Sequence, residues 1–365
     1  MIMNISAICM FVICMLYGLT RGSKYSVKLV NKKISNSILF LTFCCIMLWF
    51  FAAFRGDFTQ DYFIYYWNFE HNLNLTFMEI INESRDFLFW IFTKPFTQIF
   101  GNSQGGFIVA TAVTIFAYFE IIKKESVNYF LTLMLYVAID NYAVSFNLMR
   151  NCLAAALCAW SIHFIWEKKF WKYFMAIIVI AMIHKSALIM IPMYWILQID
   201  FRKRKNSILL IAALIVAGIG LLDTKRVTLL GQAFIGMDYL SYDDYGLDIG
   251  SVGSAIKTVV LFSVLLFFKS KIEFENIKER VLFNSCILCC YFQVLAAQVL
   301  MVQRVAYYFS FPYTLMIPLI ISRIRNKKTR AIVQMVMVVL LFIYVIFVQN
   351  SESYYFVWNN VKCLY

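Results

Sequence analysis

Apolar runs close to the length that crosses a bilayer recur from one end of this 365-residue chain to the other. A hydrocarbon core about 30 Å thick takes about 20 apolar residues of helix, whose backbone polar groups must be satisfied within the segment. The chain is therefore expected to be an all-α polytopic membrane protein. Composition agrees: 62% of residues are hydrophobic, 15% are charged and the mean hydropathy is +0.74. Soluble globular domains do not show that usage. Four prolines in the whole chain, with no Pro-rich or Gly/Ser-rich linker, predict a single transmembrane domain over residues 1–365.

About twelve transmembrane helices parse best, at 2–19, 36–54, 105–122, 127–147, 149–166, 170–183, 187–199, 207–222, 254–268, 281–303, 305–321 and 331–349. Both ends then face outside. Of the 33 lysines and arginines, 23 fall in inside loops and 10 outside or at outer span ends. The 20 acidic residues divide the other way, 7 inside and 13 outside. That asymmetry sets the orientation by the positive-inside rule. The net charge of +13 therefore belongs to membrane orientation, and no nucleic-acid partner is implied. The first apolar stretch, Ile5 to Leu19, lacks a basic lead and a small-residue cleavage site, which predicts a retained span.

Most of the ten cysteines lie within apolar spans and read as small hydrophobes. Cys286 and Cys289 have C-x-x-C spacing but no second pair or nearby histidine, so neither a metal nor another cofactor is expected.

One apolar stretch does not fit as a crossing. Residues 87–101 contain Lys94-Pro95 and precede a span that must end inside at Lys123-Lys124. Residues 55–104 are accordingly expected to form an outer-face segment of juxtamembrane or re-entrant helices, rich in the interfacial aromatics Tyr62, Tyr65, Tyr66, Trp67, Phe69 and Trp90. The other large outer loop is 223–253, where Tyr239, Tyr242, Tyr245, Asp243, Asp244 and Asp248 suit sugar faces and hydroxyls or make a plain solvated loop.

Four cations stand alone on the face depleted in basic residues: Arg55, Arg150, Lys185 and Arg304. Charges at span ends carry an insertion cost and are candidates for function, although any one of them could simply snorkel to water. Four on one face make a candidate clamp for a lipid-linked diphosphate, with guanidinium groups binding phosphate oxygens in bidentate fashion. Asp57, Asp61 and Tyr65 would share one face of a helix by i, i+4 spacing. A carboxylate there can take a proton from a sugar hydroxyl, or make a structural ion pair in an ordinary loop. Asn147 lies one turn before Arg150, His184 adjoins Lys185 and Ser186, and Tyr307 and Tyr308 follow Arg304 by three and four residues.

Three patterns carry a family resemblance: an arginine after the second span followed by Asp61-Tyr62-x-x-Tyr65; Asn147-x-x-Arg150-Asn151-x-Leu153-Ala154; and Ala181-Met182-Ile183-His184-Lys185-Ser186-Ala187. Together they resemble the EpsG-like and Wzy-like bacterial polysaccharide polymerases, which are similar to membrane glycosyltransferases of the C type. Recognisable motifs cover residues 40–200, while the second half matches in hydropathy and Arg304. The family often has glycine two residues before its aspartate; here that residue is Thr59, and both Asp57 and Asp61 stay in play for the acidic role.

The resemblance implies a C-type glycosyltransferase-like architecture in the bacterial inner (plasma) membrane. Its implied activity is transfer of a growing O-antigen, capsule or exopolysaccharide glycan from undecaprenyl diphosphate to a lipid-linked repeat unit at the outer face. Asp61, Arg150 and His184 would be catalytic, with Arg55, Asp57, Tyr62, Tyr65, Asn147, Lys185, Arg304 and Tyr308 binding substrate. The implied partners are the undecaprenyl-diphosphate-linked oligosaccharide and the bilayer, with a flippase and a chain-length regulator as accessory candidates.

Two other activities share the hydropathy. A flippase of lipid-linked glycans should place ionisable residues at the midplane of repeated halves, and no such repeat is present, with Asp140 and Gln293 the deepest polar positions. A membrane acyltransferase would use His184 as base, yet no second histidine or acid motif accompanies it.

Overall fold

In the computed structural model the described residues are 5–22, 28–29, 32–33, 35–57, 59–84, 86–139, 141–203, 205, 206, 208, 212, 215, 249–297, 302–347, 354 and 356–359. Nearly all of the regular structure is helix, with one short antiparallel pairing, Lys28–Leu29 with Lys32–Lys33. The chain divides into two compact units, residues 1–157 with 321–365, and residues 158–320.

In the first unit, α1 (Ile5–Gly22) packs on α2 (Asn36–Ala53), whose first turn is capped by the Ser35 hydroxyl accepting the Ile38 N–H. At 18 residues α2 is about 27 Å long, and its mean hydropathy of 2.0 suits a membrane crossing. Three shorter helices follow, α3 (Tyr62–Asn74), α4 (Phe77–Glu83) and α5 (Phe87–Phe100), before α6 (Gln104–Glu125), a second helix long and apolar enough to cross. α4 is fixed by a reciprocal cap between Thr76 and Glu79.

The expected non-crossing segment is a packed helical hairpin. α5 has 14 residues and carries Pro95, and its buried Lys94 donates to the carbonyls of Asn72 at 2.6 Å and Leu73 at 2.9 Å. Those are among the last carbonyls of α3, which have no partner within their own helix, so the ammonium both caps α3 and holds α5 against it. Gly101 (φ 67°) ends α5 in the left-handed conformation that glycine adopts without strain. Gly105 and Gly106 then open α6 where no side chain fits. A Cβ on Gly105 would lie 2.1 Å from the Phe96 carbonyl oxygen, and one on Gly106 would lie 2.6 Å from the Phe69 ring. The two glycines let α6 approach both α3 and α5.

α7 (Tyr129–Ala138) is capped by Asn128 and ends well short of 147; a 3-10 turn, Ala143–Phe146, leads to α8 (Met149–Ser161). The expected span 127–147 is thus a ten-residue helix followed by tight turns, held to α2 by the Tyr142 hydroxyl donating to the Leu48 carbonyl at 2.8 Å. The helix Lys327–Phe347 packs on α1 and α7 and keeps most of its apolar surface uncovered, as a lipid-facing helix must.

A short strap closes the first unit. The Val357 N–H donates to the Phe54 carbonyl at 2.9 Å, Arg55 and Phe356 form an isolated antiparallel bridge, and the Tyr354 hydroxyl donates to the Phe51 carbonyl at 2.9 Å. Phe356 stacks on Phe51 on one side and on Trp358 on the other.

In the second unit the helices Ile249–Phe267 and Ile277–Ala296 pack together, the latter long and apolar enough to cross. Gln303–Phe309 and Pro312–Ser322 pass the same test as a pair bent by 42°. Helix Phe170–Ile183 coincides with its expected span. The expected span 187–199 does not form one helix: Lys185–Met190 is a 3-10 turn and Met193–Ile196 a single helical turn after Pro192. Proline has no N–H to donate and restricts the residue before it, so the run breaks there. Asn284 stabilises the irregular end, donating to the Leu197 and Ile199 carbonyls at 2.9 Å each. Four helices, or five counting the bent pair, are long and apolar enough to cross among the described residues. Most of the expected span 207–222, the greater part of loop 223–253 with its Tyr239, Tyr242, Tyr245, Asp243, Asp244 and Asp248, and Asp140 lie outside the described residues.

Candidate functional site

The loop after α2 turns directly into the candidate site. Tyr62 N–H donates to the Thr59 carbonyl and Tyr65 N–H to the Asp61 carbonyl, both at 3.1 Å, so the helix starts only at Tyr62. Asp57 lies in a bend and Asp61 at the N-cap, which replaces the single helical face expected for Asp57, Asp61 and Tyr65. The loop is tied to the turn before α8 instead: the Thr59 hydroxyl donates to the Phe146 carbonyl at 3.3 Å, and the Asp61 N–H donates to Asn147 Oδ1 at 2.8 Å. Two motifs far apart in sequence thereby meet.

Arg150 enters the same corner from the first turn of α8. Its backbone N–H donates to the Tyr65 hydroxyl at 3.2 Å, and its Nη1 donates to Asp86 Oδ2 at 2.9 Å. The guanidinium carbon lies 5.6 Å from the centre of the Trp90 ring and 5.9 Å from that of Tyr65. Asp61 adds attraction to the same guanidinium. Nε of Arg150 is buried and has no hydrogen-bond partner among the described residues. Tyr65 is itself packed against Phe69, Phe89 and Trp90, so the hydroxyl that receives Arg150 stands on a rigid aromatic wall. Tyr62, one turn earlier, stacks on Phe107 of α6 at 4.9 Å with the rings nearly parallel.

Arg55 lies deeper. The residue is 1% exposed, its Nη1 donates to the Ala52 carbonyl at 2.7 Å, and its guanidinium carbon lies 4.9 Å from the Phe107 ring centre and 5.5 Å from that of Phe146. Nε and Nη2 have no hydrogen-bond partner among the described residues. Removal from water disfavours the charged form, and burial pulls the Arg55 guanidinium down to about 10. Aromatic faces return part of the lost hydration through cation–π attraction.

The second unit holds the other expected residues. Helix Phe170–Ile183 ends at buried His184, whose backbone is extended, and Lys185 and Ser186 open the 3-10 turn that follows. Ser186 Oγ and the Tyr308 hydroxyl are 2.8 Å apart. Tyr308 is buried one turn after half-buried Arg304, so the 184–186 turn and the 304–308 segment are joined across 122 residues of sequence. The Tyr173 hydroxyl, donating to the Met190 carbonyl at 2.6 Å, fixes the far end of the turn.

Of the residues singled out in the sequence, Arg55, Asp57, Asp61, Tyr62, Tyr65, Asn147 and Arg150 lie in the first unit and His184, Lys185, Arg304 and Tyr308 in the second. The sequence reading did not find Asp86. The available signal was the spacing of Asp86 and Trp90, four residues apart on α5, within a segment already singled out for its aromatics. Gln293, one of the two deepest polar positions in the sequence, is buried, and its Nε2 finds no acceptor among the described residues.

No curated protein and no solved structure matches the chain. A family model does, over residues 38–360, a stretch that contains every candidate residue from Arg55 to Tyr308. The chain belongs to the EpsG family.

Proposed function

We propose that this protein is a polysaccharide polymerase of the plasma membrane, moving a growing glycan from undecaprenyl diphosphate to a lipid-linked repeat unit at the outer face. Membership of the EpsG family supports a polymerase-like membrane glycosyltransferase. The observation that carries the finer reading is the corner formed by Asp61 and Arg150, linked through Asn147 and Tyr65. It pairs a proton acceptor with a cation, the two groups glycosyl transfer from a diphosphate requires.

In this reading the acceptor hydroxyl oxygen bonds to the anomeric carbon of the donor glycan as the bond from that carbon to the diphosphate oxygen breaks. The hydroxyl proton goes to the Asp61 carboxylate, and the electron pair leaves with the diphosphate. Arg150 offsets the charge that gathers on the departing oxygens, which a fixed guanidinium does without reorganising as the reaction proceeds. Arg304, His184 and Lys185 keep the diphosphate-binding and proton-shuttling roles that the family resemblance implies.

The test is the lipid-linked glycan profile of a deletion strain carrying wild-type or Asp61→Asn protein. Loss of polymer with single lipid-linked repeats accumulating outside the membrane is the expected result. Repeats trapped inside would point to a flippase, and unaltered polymer lacking an acyl group would point to an acyltransferase.

A further inference from the structure

Asp86 and Trp90 occupy one face of α5 at i, i+4 spacing, and that face holds Arg150. Asp86 sits at the N-cap of α5 without capping it: its side chain makes no bond to the first turn of the helix, and Oδ2 goes to Arg150 across 64 residues of sequence. Trp90 places its ring beside the same guanidinium, and Tyr65 from α3 supplies the third side. The side chains of Asp86 and Arg150 are 11% and 30% exposed, so the pair is largely withdrawn from water. A buried guanidinium needs a counter-charge, and the carboxylate provides one through Nη1. A pair built only for the fold would be expected to use the bidentate fork of both groups. Here the contact is a single one, through Nη1, and the Arg150 side chain keeps 30% of its surface exposed.

We infer that Asp86 is a positioning residue for the transfer reaction, fixing Arg150 through Nη1 while the exposed part of the guanidinium stays able to donate to an oxygen of the lipid-linked diphosphate. This rests on the polymerase reading of the corner. An arginine side chain loses considerable rotamer freedom when it engages a ligand. Holding it beforehand on Asp86, Trp90 and Tyr65 removes that loss from the catalytic step. The α3–α5 hairpin is then the device that holds the catalytic cation.

The experiment measures kcat and KM of the purified full-length protein in lipid nanodiscs with a lipid-linked repeat unit, for Asp86→Asn, Asp86→Glu, Arg150→Ala, Arg150→Lys and Asp86→Asn with Arg150→Lys. Asp86→Asn keeps the shape and loses the charge, and is expected to lower kcat about 10- to 100-fold with little change in KM, as misplacement of a catalytic group does. Asp86→Glu keeps the charge on a longer arm and should fall between Asn and wild type. The double variant should be little worse than Arg150→Lys, because both changes act through one guanidinium. Wild-type kcat in Asp86→Asn, or multiplying losses in the double variant, would overturn the inference. If Asp86→Asn does not accumulate, Asp86→Glu decides, with wild-type kcat overturning the proposal. An inactive Arg150→Ala beside a normal Asp86→Asn removes Asp86 alone, whereas a fully active Arg150→Ala removes Arg150 from the reaction and Asp86 with it.

Discussion

Asn147 Oδ1 accepts the backbone N–H of Asp61 at 2.8 Å, so the side chain of one motif fixes the main chain of the other. The bond uses the Asp61 main chain. Asp61→Asn should therefore keep the corner intact while removing the proton acceptor, and loss of a general base costs about 10²–10⁴ in rate. Polymer should disappear at normal protein level. Normal polymer from Asp61→Asn, with none from Asp57→Asn, would transfer the acidic role to Asp57; silence of both would end the polymerase reading.

Alanine at Arg150 or Arg304 should abolish polymer with little loss of protein from the membrane. Lysine at either position keeps a charge but loses the planar fork, and partial recovery is expected. Immunoblots of membranes beside polymer gels make the measurement. Full polymer from either alanine variant removes that arginine from the site.

Orientation is tested by single cysteines labelled in intact cells. From the charge asymmetry the loop after α2 is predicted to lie outside and the cluster at 202–205 inside. A cysteine at Gln60 should react with an impermeant maleimide, and one at Lys203 should react only after the membrane is opened. The reverse pattern would turn the candidate site to the wrong face.

Lys94 and Arg55 are both buried cations, and they should respond oppositely to replacement by methionine. Lys94 serves two carbonyls at the end of α3, and Lys94→Met leaves those acceptors buried, at about 1–3 kcal/mol for each one left without a partner. The purified variant should unfold at a lower temperature. Arg55 has two nitrogens without acceptors among the described residues, so Arg55→Met removes a burden and should raise the unfolding temperature.

The Arg55 guanidinium is held at about 10, below its ordinary value, so at higher pH the unfolded chain binds the proton more tightly than the folded one. Stability of the wild type should consequently rise relative to Arg55→Met as pH increases above about 10. Parallel unfolding curves for the two proteins across that range would contradict this.

Hydropathy made helices such as 36–53, 104–125 and 170–183 legible, because an uninterrupted apolar run of that length has few other conformations open to it in lipid. The Lys94-Pro95 pair and the charge count marked residues 55–104 as something other than a crossing. Pro192 was visible but its consequence was not, since the broken run over 185–199 depends on tertiary anchors, Tyr173 at Met190 and Asn284 at Leu197 and Ile199. Asp86 was illegible for a related reason. Its four-residue spacing to Trp90 is the one local sign, and that does not separate Asp86 from a solvated N-cap carboxylate; only the fold brings it to Arg150. The helical face drawn through Asp57 and Asp61 failed because Thr59 and Gln60 turn before the helix begins.

The strap bears on how the protein is made. Phe51 and Tyr354 are 303 residues apart in sequence, yet their hydrogen bond lies beside Arg55. Chains emerge from the ribosome at about 5–20 residues per second, so α2 is threaded into the bilayer well before the strand that covers its end exists. For that interval the Phe51 and Phe54 carbonyls and the Arg55 backbone lack the partners that residues 354–357 supply, and water or lipid headgroups must meet them. Closing the strap is a step of assembly that follows insertion, and a nascent chain halted before residue 354 should leave the end of α2 without it.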